Sequence, residues 1–116
     1  MADRAIKKIV KDYLRELEIT GIPVNCGVLF GSYTGNRTVT KWSDIDLLVV
    51  SPIYDKLYTR NEINLLWRIA ARIDSRIEPI AVGTQQFEID DKSTILEVAR
   101  REGEKIYPQD IEDSVL

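Results

Sequence analysis

Two aspartates one residue apart open the most hydrophobic segment of the chain. Asp44 and Asp46 flank Ile45, and the apolar run Leu47-Leu48-Val49-Val50 follows. On a β-strand, residues two apart face the same side, so both carboxylates point together while Ile45 faces the core. Two neighbouring carboxylates repel each other unless a positive charge lies between them. Mg²⁺ provides such a charge and is bound by one or two carboxylates together with substrate phosphates. The pair therefore predicts a site for a divalent cation.

A glycine–serine pair precedes these aspartates, at the end of another hydrophobic segment. Leu29-Phe30 leads into Gly31 and Ser32, and eleven residues separate Ser32 from Asp44. Glycine lets the backbone approach a ligand closely, and exposed amides beside a serine hydroxyl can hold phosphate oxygens. Ser32 could also cap a short helix, which is compatible with phosphate binding. A phosphate cradle beside an acidic pair indicates that a nucleotide and a metal ion bind together.

Composition excludes several other kinds of chemistry. The chain has 116 residues, no histidine and one cysteine, which excludes histidine-based triads, most zinc sites and an internal disulfide. Its 16 basic and 19 acidic residues give a net charge of −3, which argues against binding nucleic acid by electrostatics alone. We expect one cytoplasmic domain over residues 1–116, with a frayed acidic tail at 109–116, no membrane association and no strong nucleic-acid binding.

Helices must flank the strands that carry these motifs. The spacing of apolar residues predicts three helices, at about 3–18, 59–74 and 93–103. Asp3 can cap the first helix, and the capping box Thr59–Glu62 opens the second. Asp91 or Ser93 can cap the third helix, which Gly103 would close in a left-handed conformation.

The strands alternate with these helices. Strand patterns lie at 24–30, 44–51 and 77–82, with a short fourth candidate at 105–107. Gly27 indicates a close approach of another element. Pro79 indicates an edge strand or an irregular pairing, because proline removes a ladder donor. The order α-β-β-α-β-α-β predicts an α+β (α/β-like) domain in which helices pack on one face of a small mixed sheet.

This combination of motifs resembles the minimal nucleotidyltransferases of the polymerase-β superfamily. More narrowly, it is similar to the small bacterial and archaeal members that are paired with a HEPN-type protein. The resemblance rests on Gly31-Ser32, a loop, and Asp44-Ile45-Asp46 at the start of a hydrophobic strand, and it extends over most of the chain. It implies a polymerase-β palm-like fold in which Asp44 and Asp46 bind two Mg²⁺ ions, with Mn²⁺ as an alternative. Gly31 and Ser32 would bind the nucleotide phosphates.

The family's third carboxylate lies on the strand that follows the second helix. Glu78 takes that position in this chain, although the family more often has aspartate there. It would complete the metal's ligand shell or accept the proton of the acceptor hydroxyl. Asp74 is the competing candidate, and Glu78 could also be an ordinary surface acid. Asp44 and Asp46 could likewise be solvated acids at a strand edge.

The resemblance also implies a reaction and a partner. We expect a metal-dependent nucleotidyltransferase that uses ATP or another nucleoside triphosphate and moves AMP to a hydroxyl on a HEPN-type partner, as an antitoxin. Because the chain is barely longer than a catalytic core, we expect it in a homo- or hetero-oligomer. One alternative is a non-catalytic module that binds nucleotide or neutralises a toxin by contact. Another is an oligomer subunit whose nucleotide site regulates assembly.

Overall fold

The computed structural model of the chain describes residues 4–30, 44–89 and 93–109. Within these ranges, helices and strands follow one another as α1 (Arg4–Thr20), β1 (Cys26–Phe30), β2 (Ile45–Val50), α2 (Arg60–Ile73), β3 (Ile77–Val82), α3 (Thr84–Ile89), α4 (Thr94–Glu102) and β4 (Glu104–Ile106). A short 3-10 helix at Pro52–Asp55 follows β2. This order confirms the predicted one and adds α3. None of the helices in these ranges is long and apolar enough to cross a membrane.

The described strands form one mixed sheet in the order β3-β2-β1-β4. Strand β1 is antiparallel to β2 and β4, whereas β2 and β3 are parallel. Pro79 therefore lies on an edge strand of this sheet, as predicted. The Ile45 N–H donates to the Arg76 carbonyl at 2.8 Å, and the Ser51 N–H donates to the Val82 carbonyl at 3.0 Å. The backbone N–H and carbonyl groups of the even-numbered residues of β3 thus point toward β2. The nitrogen of Pro79 points away from β2, so proline there costs no hydrogen bond between the two strands.

Both faces of this sheet are covered by helices. Helices α1 and α2 pack on the face that carries Ile45, Leu47 and Val49. On the other face, Phe87 of α3 and the buried side of α4 pack against residues of β1, β2 and β3, including Leu48. The α+β fold with a mixed sheet is as predicted, but the expectation of helices on one face holds only for α1 and α2. The reason is that β2 is apolar on both sides from Leu47 onward, and a strand of this kind must be covered twice.

Gly27 allows α1 to approach the sheet closely, as predicted. A Cβ atom at Gly27 would lie 3.1 Å from Leu14 Cδ1 of α1 and 3.1 Å from Leu47 Cδ1 of β2. These distances are shorter than ordinary van der Waals contact, so both leucine side chains would have to shift. The core side of β1 therefore depends on the absence of a side chain at this position.

The helix ends agree with the sequence only in part. Ser93 caps α4, because its hydroxyl accepts from the Leu96 N–H at 3.4 Å. Thr59 precedes α2 as predicted, but its side chain makes no capping hydrogen bond. The left-handed cap predicted at Gly103 is wrong: its φ of −75° is negative and its ψ of 157° makes it extended, because β4 begins at the next residue. Asp3, Asp91 and the end of the acidic tail lie outside the described residues.

Helix α3 is capped by a residue from a distant part of the chain. The Asp55 carboxylate accepts from the Gln85 N–H at 2.9 Å and from the Gln86 N–H at 3.1 Å. A side chain at Gly83 would overlap this carboxylate, so only glycine leaves room for the contact. The bond joins the end of the 3-10 helix to the first turn of α3 and fixes the connection that follows β3.

Candidate active site

Three of the predicted site residues meet at one end of the parallel strand pair. Asp44 directly precedes β2, Asp46 is the second residue of β2, and Glu78 is the second residue of β3. Asp46 and Glu78 are register partners, so their side chains face the same side of the sheet. Asp44 is exposed, whereas Asp46 and Glu78 are partly buried. The carboxylates therefore form a cluster that is open to solvent at one end.

Electrostatic repulsion within this cluster acts on Glu78. Partial burial raises the pKa of Glu78, and the nearby charges of Asp44 and Asp46 raise it further. The Glu78 carboxyl also lies within hydrogen-bonding reach of both aspartates, which favours its protonated form. A divalent cation between these carboxylates would relieve the repulsion that raises the pKa of Glu78. The donors are all carboxylate oxygens, the ligands that Mg²⁺ prefers.

The cluster is not a preformed metal cage. Across residues 4–30, 44–89 and 93–109, no three cysteine or acidic side chains are already arranged to enclose a metal ion. Mg²⁺ needs no such cage, because it retains several waters and is usually held by one or two carboxylates and substrate phosphates. The donor set therefore fits a cation that arrives with a nucleotide better than one held by protein ligands alone.

Asp74, the competing third carboxylate, is engaged elsewhere. Both of its oxygens accept from Arg76, at 3.0 Å from Nε and 2.8 Å from Nη2, and one also accepts from the Arg76 N–H at 2.9 Å. These hydrogen bonds hold the pKa of Asp74 below its usual range. Glu78, and not Asp74, thus lies with the two aspartates. Its catalytic role stays a prediction.

Sequence reasoning missed the Asp74–Arg76 ion pair itself. An acid and an arginine two residues apart in a helix-to-strand turn can pair, and this spacing is visible in the sequence. The pair matters for the cluster, because Arg76 lies two residues before Glu78 and its carbonyl binds the Ile45 N–H.

The predicted phosphate-binding residues Gly31 and Ser32 lie outside the described residues. Phe30, the last residue of β1, is the register partner of Asp46. Phe30, the last described residue before Gly31, therefore lies beside Asp46. The role of Gly31 and Ser32 stays a prediction.

A separate cavity lies at the other end of the sheet. Its volume is about 250 Å³, and Asn25, Val50 and Lys105 are among the residues that line it. None of the three carboxylates borders it. Its position at the start of β1 and the end of β2 separates this cavity from the carboxylate cluster.

Comparisons with known proteins bear on the family and the fold of the chain. A family model described as a nucleotidyltransferase domain matches residues 5–105. No curated protein matches the chain. A chain in the solved complex of a tri-AMPylated Shewanella oneidensis HEPN toxin with an MNT antitoxin is similar in structure, with a TM-score of 0.53 and 21% sequence identity over 94% of this chain and 78% of that one. At this identity the likeness shows the fold alone, whereas the family match spans both motif strands and Glu78. The chain belongs to the nucleotidyltransferase domain family.

Proposed function

We propose that the chain is a metal-dependent nucleotidyltransferase that moves AMP from ATP to a hydroxyl group on a partner protein. One observation carries the proposal: Asp46 and Glu78 are register partners, and Asp44 lies close enough to Glu78 to raise its pKa. A cluster of like charges does not help a metal-free fold. It has a clear use in a family that transfers nucleotides, because the triphosphate needs cations to approach it.

Each site residue has a distinct proposed role. Asp44 and Asp46 hold Mg²⁺, with Mn²⁺ as an alternative, while Gly31 and Ser32 hold the phosphates. When bound, a pair of such ions stabilises the attacking and leaving oxygens together. Glu78 either completes the ligand shell or accepts the proton of the acceptor hydroxyl, and a raised pKa makes its carboxylate a stronger base.

The proposed reaction is a displacement at phosphorus. The acceptor hydroxyl oxygen bonds to the α-phosphorus, and the bond from that phosphorus to the bridging oxygen of the β-phosphate breaks. Pyrophosphate leaves, and the hydroxyl proton passes to Glu78 or to water. Positioning and charge neutralisation provide most of the catalysis in reactions of this class. The half-open position of the cluster leaves room for an acceptor that another protein presents.

The proposed acceptor lies on a HEPN-type protein, with the chain acting as its antitoxin. Support comes from the structural likeness to a chain in a complex between an AMPylated HEPN toxin and an MNT antitoxin. That toxin carries AMP groups, which favours ATP as the nucleotide. Because the partner would be bound as well as modified, the oligomer expected from the sequence would be a complex of the two proteins.

Labelled ATP tests this proposal directly. The chain and a HEPN-type protein from the same organism are incubated with Mg²⁺ and ATP labelled at the α-phosphate. We expect label and the mass of AMP on the partner, none with γ-labelled ATP, and none in chelator. A tight complex without transfer from any of the four nucleoside triphosphates would contradict the enzyme and favour the toxin-neutralising module.

Light scattering tests the proposed complex separately. With the partner present at micromolar concentration, we expect a species heavier than either protein alone. The 13.3 kDa chain remaining a monomer under these conditions would contradict a stable complex. Transfer during brief encounters would still be detected by the label, so the two measurements separate binding from catalysis.

A further inference from the structure

We infer that the Asp74–Arg76 ion pair is a positioning device for the carboxylate cluster, an inference that rests on the proposed function. The ion pair fixes the turn from α2 into β3. This turn then holds the start of β2 in the register that places Asp46 opposite Glu78. Asp74 and Arg76 act here through the backbone, as positioning residues for Asp44, Asp46 and Glu78.

The first link joins the end of α2 to the Arg76 side chain. The Asp74 N–H donates to the Ala70 carbonyl at 2.8 Å and ends the helix. The Asp74 carboxylate then receives two parallel hydrogen bonds from the guanidinium and a third from the Arg76 N–H. Their side chains are only 18% and 24% exposed. A two-point fork of this kind fixes direction as well as distance.

The second link joins Arg76 to the aspartates. The Arg76 carbonyl accepts from the N–H of Ile45, the residue between Asp44 and Asp46, at 2.8 Å. Ile45 is the register partner of Ile77, one rung before the Asp46–Glu78 pair. The backbone of Arg76 thus ends the turn, and its carbonyl group holds Ile45, the first residue of β2. A shift of Arg76 would move Ile45, and with it both aspartates.

The anchor at the other end is rigid. Leu66 and Ile69 of α2 are fully buried, and the Leu66 carbonyl accepts from the Tyr13 hydroxyl of α1 at 2.9 Å. Because α2 cannot move easily, the ion pair transmits its position to the turn. A displacement of about 1 Å at reacting groups can cost roughly 100-fold in rate, so even a small loosening of this turn would be measurable.

The test compares two ion pairs of similar exposure. Asp74→Asn keeps the size and one acceptor for the Arg76 N–H but weakens the fork. Glu104→Gln is the control, because the Lys7–Glu104 pair (2.6 Å, 30% and 21% exposed) joins α1 to β4, on the far side of β1 from β2. Each variant, with its partner protein, is measured for kcat, KM for ATP, Mn²⁺ affinity and melting temperature, and the Ile45 amide is followed by NMR.

We expect Asp74→Asn to lower kcat by roughly 10- to 100-fold with a smaller change in KM, to weaken Mn²⁺ binding and to shift the Ile45 amide signal. Glu104→Gln should lower the melting temperature without these changes. Asp74→Glu, which retains the charge, should recover part of kcat.

Two results would overturn the inference. One is a loss of kcat that follows melting temperature equally in both variants. The other is unchanged Mn²⁺ affinity and an unchanged Ile45 amide in Asp74→Asn. If Asp74→Asn does not fold, Arg76→Lys applies the same readouts to a milder weakening of the fork. If the wild type transfers nothing, the proposed function fails, but Mn²⁺ affinity and the Ile45 amide still decide whether the pair positions the cluster.

Discussion

Asp46 and Glu78 face each other across a parallel strand pair, although both carry negative charge. Like charges directly opposite each other in a sheet destabilise it, and Asp44 adds a third charge nearby. The charged start of each strand thus contributes less to stability than the apolar residues that follow it. The Asp46–Glu78 pair therefore lowers the stability of the sheet at the place where the cation is proposed to bind.

Glu78→Gln should change how stability depends on pH. Because the pKa of Glu78 is raised, the folded chain binds this proton more tightly than the unfolded chain does. The resulting stability is complete below the ordinary glutamate pKa of about 4.3 and is lost as pH rises through the raised value. In chelator, we expect Glu78→Gln to gain stability relative to wild type over this rise, as measured by urea unfolding at stepped pH.

Asp74→Asn provides a control of opposite sign for that experiment. Arg76 lowers the pKa of Asp74, so the stability from this pair is present above the unfolded value and is lost as pH falls through the folded one. The deficit of Asp74→Asn should therefore be largest near neutral pH and shrink in acid. Curves of the same slope for both variants would contradict the assigned directions.

Asp44→Asn should separate catalysis from folding. It removes one charge that acts on Glu78 while keeping the side-chain shape. We expect nucleotidyl transfer to be lost while the chelated protein stays as stable as wild type or gains ~0.5–2 kcal/mol. Mg²⁺ should raise the melting temperature of the wild type more than that of the variant.

Asp12→Asn is the matched control for that variant. Asp12 pairs with Lys8 on the exposed side of α1 at 2.9 Å, so its replacement should leave transfer intact. Thermal unfolding in chelator and in excess Mg²⁺, beside the transfer assay, measures both effects. If Asp44→Asn melts well below wild type in chelator, Asp44 is structural and the assignment of the site is wrong.

ATP should bind much more tightly with Mg²⁺ than without it. The carboxylate cluster repels the triphosphate until a cation lies between them. Calorimetry in chelator and in Mg²⁺ measures the difference, with Glu104→Gln as a variant that should behave like wild type. Equal affinity in both buffers would argue that the nucleotide, if it binds, does so away from the three carboxylates.

Gly83→Ala should destabilise the chain through Asp55. The added methyl group would displace the carboxylate that caps Gln85 and Gln86, at a cost of about 1–3 kcal/mol. Replacing Asp55 by alanine removes the two carboxyl atoms that the methyl group would overlap and leaves only the Asp55 backbone nitrogen, at 2.9 Å. The double variant should therefore be more stable than the sum of the single effects predicts. Urea unfolding of the four proteins measures this coupling, and simple additivity would contradict the proposed contact.

Local patterns in the sequence were enough to predict most of the elements. The 77–82 strand was predicted with the bounds that the structure has, because apolar residues and Pro79 mark it locally. Helix α3 was missed because its cap comes from Asp55, which lies thirty residues before Gln85. Gly103 was misread because the demand of β4 for an extended residue overrides the common preference of a helix end.

The site could be predicted only as far as spacing carries. The two aspartates share a face in any strand, so their pairing follows from sequence alone. Glu78 was preferred to Asp74 through the family resemblance, whereas its position opposite Asp46 depends on the register of β2 against β3, which no local pattern encodes.

The outer side of β3 has a consequence for how the protein associates with other chains. The backbone groups of Ile77, Pro79 and Ala81 point away from β2 on this side. The Ile77 N–H already donates to the Asp74 carbonyl at 3.1 Å, and Pro79 has no N–H. Of these three positions, only Ala81 can offer a backbone donor to an incoming strand. This edge is thereby protected against β-augmentation and edge-to-edge aggregation, so a protein that approaches it must be recognised through side chains.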